Sequence, residues 1–101
     1  MGEPRLRHVV VFRFAPGTPQ SDVETLHRAL MSLPREIPEI LSYRGGIDMA
    51  LSDTTWDYAL VADFASEEEY RAYARHPAHL AVIERCVAPI AEQIVRVQHR
   101  L

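Results

Sequence analysis

Two histidines and a tyrosine give this sequence its clearest chemical signal. They lie in the segment Tyr73-Ala-Arg-His-Pro-Ala-His79. Pro77 suits the first position of a helix, because its missing N–H would have no partner there. This predicts that His76 is the N-cap and that His79 lies in the first turn, where the helix dipole disfavours an imidazolium. We therefore expect a neutral His79 that can accept a proton near pH 7, close to the hydroxyl of Tyr73.

The hydrophobic pattern predicts the elements that position these side chains. Residues 5–14 alternate as a strand, and one face carries Leu6, His8, Val10, Phe12 and Phe14. A helix capped by Thr18 or Ser21 should run to about Leu33, and its apolar stripe is Val23, Leu26, Leu30 and Leu33. Residues 40–49 should form a second strand, with a bulge or sharp bend at Gly45-Gly46.

The second half of the chain repeats this order of elements. Residues 56–64 predict a third strand, with Trp56 and Tyr58 on its core face, and residues 94–100 predict a fourth. Ser66 should cap a helix that ends before Pro77, where another helix begins. The order β-α-β-β-α-β predicts a ferredoxin-like α+β sandwich with a broken second helix, formed by residues 1–101 as one domain.

A second apolar face on the strands bears on assembly. Val9 and Val11 alternate with the core residues of the first strand, and Ala59 and Val61 do so on the third. Helices on one side of the sheet leave these four residues uncovered. The pattern therefore predicts a homodimer in which two sheets pack face to face.

Composition excludes several classes of function. The net charge is −3 and no apolar run is long enough for a bilayer, which argues against nucleic-acid and membrane partners. The eleven basic residues are all arginine, so lysine Schiff-base chemistry is excluded. The single Cys86 excludes an internal disulfide, and there is no Gly-rich phosphate loop. There is no signal-peptide core near the N-terminus, so we expect a cytoplasmic protein. We also expect that the protein needs no cofactor.

Three blocks of sequence, with their spacing, resemble the stress-responsive dimeric α/β-barrel (Dabb) family. They are Arg7-His-Val-Val-Val-Phe-Arg-Phe14, Trp56-Asp-Tyr-Ala-Leu-Val-Ala-Asp-Phe64 and the His-Pro-Ala-His segment. The resemblance extends from about Leu6 to the last strand. It implies the fold of the family, a dimeric α/β barrel, more strongly than any single activity.

The resemblance also implies a specific chemistry. The plant olivetolic acid cyclase of this family closes a linear polyketide by intramolecular aldol condensation, and its catalytic positions match His8, Tyr73 and His79. The resemblance implies that His79 abstracts an α-proton, that Tyr73 stabilises the enolate and that His8 supports the network. In place of the aromatic residues on the first helix of the cyclase, this chain has Leu26, His27 and Leu30.

A hydrophobic pocket between sheet and helices would hold a small hydrophobic or polyketide-like ligand. The predicted lining residues are Leu6, Val10, Phe12, Leu26, His27, Leu30, Leu60, Val82 and Ile83. Two other functions fit the same residues. One is a cofactor-free monooxygenase or isomerase on the same barrel. The other is a non-catalytic stress-responsive or ligand-binding dimer, in which His79 is a satisfied core histidine.

The other candidate residues favour plainer interpretations. His76 and His79 are three residues apart, but zinc needs a third protein ligand, and we predict no metal site. We expect His27 and His99 to lie at the rim or in solvent, although His27 could also present a polar group to the pocket. Cys86 lies on an apolar stripe and is a poor candidate for a nucleophile.

Overall fold

A four-stranded antiparallel sheet carries helices on one face in the computed structural model, which describes residues 2–101. The strands are β1 (Leu6–Phe14), β2 (Ser42–Ile47), β3 (Tyr58–Phe64) and β4 (Ala91–Arg100), and their order in the sheet is β2-β3-β1-β4. The helices are α1 (Gln20–Met31), α2 (Glu67–Ala74) and α3 (Pro77–Val82). A 3₁₀ turn, Leu33–Arg35, follows α1, and a π-helical turn, Ile83–Val87, continues α3. This arrangement confirms the predicted ferredoxin-like α+β fold.

Several element ends differ from the predicted ones. The N-cap of α1 is Pro19, with φ −62°, so neither Thr18 nor Ser21 caps the helix. The Thr18 hydroxyl instead donates to the carbonyl of Ala15 and closes the turn before the helix. The helix ends at Met31, and Leu33 is buried in the 3₁₀ turn. Pro34 explains this early end, because a proline prevents the residue before it from continuing an α-helix.

The strands also differ in length from the predicted ones. β2 and β3 are shorter than expected, and β4 begins three residues earlier than predicted, at Ala91. Trp56 precedes β3 and lies on the uncovered side of the sheet under the guanidinium of Arg13, 4.6 Å from the ring centroid. The core position predicted for Trp56 is therefore wrong, whereas Tyr58 is buried as predicted.

The predicted bulge at Gly45-Gly46 is also wrong, because β2 pairs with β3 in unbroken register. Gly45 is required for a different reason. A Cβ atom at this position would collide with the hydroxyl of Tyr58, whereas one on Gly46 would meet nothing within 4 Å. The register shift in this sheet lies instead between β1 and β4, at Arg13 and Phe14.

The core lies between the sheet and the helices. Alternate residues of β1 and β3 point toward the helices and are buried. From the sheet these are His8, Val10, Phe12, Phe14, Tyr58, Leu60, Ala62 and Phe64, and from the helices and loops Val23, Leu26, Leu30, Leu33, Ile37, Tyr73, Val87 and Ile90. One histidine therefore sits in an otherwise apolar row of β1.

The opposite face of the sheet, which we call the outer face, carries a grid of small apolar residues. Val9 pairs with Val61 on one side and Val97 on the other, and Val11 pairs in the same way with Ala59 and Val95. Val95 and Val97 are 49% and 54% exposed. The uncovered apolar face predicted from the sequence is thus present and includes two residues of β4.

Candidate functional site

One row of side chains crosses the helix-facing side of the sheet and sets up the site. In this row the register places Tyr43 of β2 opposite Ala62 of β3, Ala62 opposite His8 of β1, and His8 opposite Gln98 of β4. The small side chain of Ala62 separates the tyrosine from the histidine. Above this row, α2 contributes Tyr73 and α3 contributes His79. The site is therefore built from all four strands and from the broken helix.

A cavity of about 70 Å³ lies over this part of the sheet. Its lining residues are His8, Val10, Phe12, Leu30, Leu60, Tyr70, Tyr73, His79, Ile83, Val87, Ile94 and Arg96. The three residues expected to act together do meet here. The ring centroids of Tyr73 and His79 are 4.2 Å apart, and those of His8 and Tyr73 are 6.2 Å apart.

The hydrogen bond of His79 determines which of its ring nitrogens can accept a proton. Nδ1 lies 3.0 Å from the carbonyl oxygen of Ala74, and a carbonyl can only accept, so Nδ1 carries the hydrogen. Nε2 of the neutral ring then has a free lone pair. Every buried side-chain nitrogen and oxygen of residues 2–101 has a hydrogen-bond partner. Nε2 has none in this part of the chain, so this atom is not fully buried, and the His79 side chain lines the cavity.

The surroundings of His79 keep this ring neutral. Burial, the largest influence, lowers the pKa of His79 below its ordinary 6.5. The hydrogen bond to Ala74 opposes this effect, and the positive charge of Arg96 adds to it. The direction agrees with the expectation from the sequence, but burial is the main cause.

His8 has the opposite tautomer. The side-chain Nε2 of Gln98 donates to Nδ1 of His8 over 2.8 Å, so the hydrogen of the neutral His8 ring is on Nε2. Burial, with help from Arg96, lowers the pKa of His8 to about 4. The ring is 4% exposed and lines the cavity. The two histidines therefore offer complementary groups, an acceptor on His79 and an N–H donor on His8.

Tyr73 is held by a second tyrosine. The hydroxyl oxygens of Tyr73 and Tyr43 are 2.7 Å apart, so one phenol donates to the other. Burial raises the pKa of Tyr73 to about 12 and raises the pKa of Tyr43 further. Both phenols thus stay protonated at neutral pH. When Tyr43 donates, the hydrogen of Tyr73 is free for a ligand.

The cavity includes some of the predicted lining residues and excludes others. Val10, Phe12, Leu30, Leu60 and Ile83 line it. The other four predicted lining residues do not line the cavity, and they are Leu6, Leu26, His27 and Val82.

Leu26 is 0% exposed. It belongs to the apolar stripe of α1 and is therefore buried in the core between this helix and the sheet. Leu6 and Val82 pack against the edge of the core, and Val82 faces a groove beside Cys86. His27 is half-buried and its Nδ1 lies 2.7 Å from the hydroxyl of Tyr58, so the ring lies outside the cavity and keeps part of its surface in solvent.

Six residues at or behind the cavity were not predicted as site residues, and one of them is Val87, which lines it beside Ile83. Tyr70 lies three residues before Tyr73, which is the spacing of one helix face. The others are Tyr43, Gln98, Ile94 and Arg96. The alternation of a strand could have identified three of them, because Ile94, Arg96 and Gln98 must lie on the same face of β4. The predicted strand 94–100 contains all three, but its mixed polar and apolar residues did not show which of its faces meets the helices.

The other candidate residues have structural positions. Nδ1 of His76 accepts from the backbone N–H of Ala78, which makes His76 the predicted N-cap. His99 is exposed on β4, and Cys86 is half-buried. Within residues 2–101, no three metal-ligating side chains cluster. The described helices include none with the length and hydropathy needed to span a bilayer.

Comparison with known proteins places the chain in a family. The family model described as the Stress responsive A/B Barrel Domain (Dabb) matches residues 6–99. The chain belongs to this family. A search of curated proteins found no match.

Several solved structures share the fold of this chain. A dimeric ferredoxin-like protein of unknown function from Thermobifida fusca has 35% identity and a TM-score of 0.90, over 100% of this chain and 95% of that one. A dimeric protein of unknown function from Bacteroides fragilis has 24% identity and a TM-score of 0.86, over all of both chains. The hydroxynitrile lyase of Passiflora edulis shares the fold, with 19% identity and a TM-score of 0.84, over 97% of this chain and 94% of that one.

Proposed function

We propose that this protein is a cofactor-independent enzyme that moves a proton on a small carbonyl compound, with His79 as the general base. The observation that carries the proposal is the tautomer of His79. Its Nδ1 donates to the carbonyl of Ala74, which leaves the Nε2 lone pair unpartnered among residues 2–101, on a side chain that lines the cavity. A side chain that only filled the core would have no reason to hold an unpartnered acceptor beside a cavity.

The proposed reaction begins at a carbon between two carbonyl groups. Nε2 of His79 takes the proton from this carbon, and the C–H electron pair becomes an enolate. The hydroxyl of Tyr73 donates to the enolate oxygen, and the N–H of His8 is a second donor. In an aldol cyclisation the enolate carbon then bonds to another carbonyl carbon, and the new alkoxide takes its proton from the His79 imidazolium. Such positioned groups stabilise charge as it develops.

The size of the cavity limits the substrate. Since a water-sized group needs about 10–15 Å³ of such space, about 70 Å³ holds roughly five to seven such groups. This volume suits a compact β-dicarbonyl compound or the reacting end of a longer chain. Polyketide cyclisation is the most specific form of the proposal, and the cavity favours a shorter substrate than a full polyketide.

We also propose that the protein forms a homodimer through the outer face of the sheet. The valine grid has no cover within one chain, and an apolar patch of this kind is typical of an interface. A groove of about 400 Å³ continues the patch along Val11, Ile47, Met49, Leu51 and Trp56. Both relatives described as dimeric share the fold over the whole chain.

The test of the enzymatic proposal is deuterium exchange. The probe is ethyl butyrylacetate, whose α-protons exchange slowly with deuterium oxide in buffer alone, so that their NMR signal fades. We expect the wild-type protein to make this signal fade faster than buffer alone does. We expect His79→Gln to lower the protein-dependent rate by about 10²–10⁴-fold, which is the usual contribution of a general base. The matched control is His99→Gln, which removes an exposed histidine and should leave the rate unchanged.

The exchange experiment also separates the alternatives. If wild-type protein does not exceed the buffer rate, the proposal is wrong and the non-catalytic dimer is favoured. A monooxygenase would consume oxygen in the presence of the same ester, which an oxygen electrode detects. If His79→Gln only lowers the melting temperature and leaves the exchange rate unchanged, His79 has a structural role.

A further inference from the structure

Arg96 is a cation at the mouth of the cavity without a partner among the described residues. It lies on β4, opposite Val10 of β1, and shares the helix-facing side with Ile94 and Gln98. The side chain lines the cavity and is exposed. Across residues 2–101, no hydrogen bond or ion pair holds its guanidinium. The ion pair that the structure does contain joins Arg7 to Asp63 at 2.8 Å, on the outer face.

The walls of the cavity supply no negative charge to balance this arginine. Apart from Arg96, the lining consists of two neutral histidines, two tyrosines and seven apolar residues. The chain has 14 acidic residues against 11 basic ones, yet none of the acidic residues lines the cavity. The positive charge reaches the site, because Arg96 lowers the pKa values of both His8 and His79.

We propose that Arg96 binds the carboxylate of a small carboxylic acid whose apolar chain enters the cavity. This inference rests on the proposed function only where it says which carbon of the bound acid reacts. Binding of the carboxylate itself does not require that the protein is an enzyme. A guanidinium binds a carboxylate through two parallel N–H donors. The aliphatic walls formed by Val10, Leu60 and Ile83 then suit a short alkyl chain. Under the proposed function, the substrate is a short keto acid held at the mouth by Arg96.

The experiment compares two probes of nearly equal shape, valerate and valeramide. Their binding is followed by proton–nitrogen correlation NMR, using the backbone amides of Ile83 and Val87 as reporters. Because charge-assisted hydrogen bonds are about twice as strong as neutral ones, we expect wild-type protein to bind valerate about tenfold more tightly than valeramide. Arg96→Gln should remove this preference and leave the affinity for valeramide unchanged. Arg96→Lys should retain part of it.

The matched control is Arg100→Gln, which removes another exposed arginine on the same face of β4 and should keep the preference for valerate. Equal affinities of wild-type protein for the two probes would overturn the inference, as would no detectable binding of valerate. An equal loss for both probes in Arg96→Gln would also overturn it, because it would indicate a structural role. A failed deuterium-exchange test with normal valerate binding would reject the enzyme and leave the carboxylate site in place.

Discussion

The two faces of the sheet use the same strands for different purposes. On the helix-facing side, a few polar side chains lie among apolar ones, and every buried side-chain nitrogen and oxygen of residues 2–101 is hydrogen-bonded. On the outer face, the central positions of three strands carry only valine and alanine. The two-residue period of a strand lets one sheet carry the proposed chemical site on one face and the proposed interface on the other.

This difference indicates which substitutions should affect which property. Changes on the helix-facing side should alter the cavity and its proton chemistry, and changes on the outer face should alter assembly. If both kinds of change affected both properties, the two faces would have to be treated as one cooperative unit. Four experiments test this separation.

The largest effect is expected for Val97→Asp on the outer face. A carboxylate buried without a partner in an apolar interface costs several kcal/mol, so the dimer dissociation constant should rise by at least about a hundredfold. Sedimentation velocity measures this change, and Val97→Leu should remain dimeric. The His79 ring signals should be the same in both variants. A fully dimeric Val97→Asp protein would show that the outer face is not the interface.

The two adjacent glycines of β2 give the next test. In Gly45→Ala the new methyl group meets the Tyr58 hydroxyl, so we expect the free energy of unfolding to fall by about 1–3 kcal/mol. Gly46→Ala has free space and should be neutral or stabilising by about 0.4–1 kcal/mol. Urea unfolding at equal protein concentration measures both. Equal effects of the two substitutions would contradict the packing described here.

A smaller effect is expected for Tyr43→Phe. This variant removes the hydrogen bond to Tyr73 and should lower the free energy of unfolding by about 0.5–1.5 kcal/mol. It should also slow the deuterium exchange described above, because Tyr73 loses the partner that orients its hydroxyl. Tyr70→Phe is the control, since Tyr70 is also a cavity tyrosine but has no such bond. Unchanged exchange in Tyr43→Phe would mean that Tyr73 needs no orienting partner.

As the pH falls, the stability contributed by His8 on the helix-facing side and by Asp63 on the outer face should be lost at different pH values. Unfolded His8 takes up a proton near its ordinary pKa of 6.5, but folded His8 does so only near 4, so stability should fall as the pH drops from 6.5 to 4. The hydrogen bond from Arg7 lowers the pKa of Asp63 below its ordinary 3.8, so the stability from this pair is lost only below that pH.

Melting temperature measured against pH resolves these two steps. We expect His8→Gln to weaken the upper step and Asp63→Asn to weaken the lower one. Each variant should leave the other step in place, because His8 and Asp63 lie on opposite faces. Loss of both steps in one variant would contradict the separation.

The alternation of the strands made the fold predictable from the sequence. Period-two patterns in β1 and β3 placed His8 in the buried row and the valines on the outer face, and the proline after His76 located the start of α3. These signals are local, so no knowledge of packing was needed. The family resemblance added the convergence of His8, Tyr73 and His79, which periodicity alone does not give.

The missing parts of the site depend on register and on packing between elements. Gln98 contacts His8 only because β4 lies beside β1 in one particular register, and Tyr43 reaches Tyr73 across the thickness of the core. The pocket role predicted for His27 failed because Tyr58 binds its ring. Arg96 was overlooked although it lies within the predicted strand 94–100, because the charged residues of this strand give no apolar alternation that would show which face packs under the helices.

The most direct test of the central claim is the tautomer and pKa of His79, measured by long-range proton–nitrogen NMR of the imidazole rings. We predict that the neutral ring carries its hydrogen on Nδ1 and that its pKa is below 6.5. We also predict that the Nε2 signal shifts when a β-keto ester is added. A hydrogen on Nε2 of the neutral ring, or a pKa well above about 7 that leaves the ring mostly charged, would contradict the role of His79 as the base.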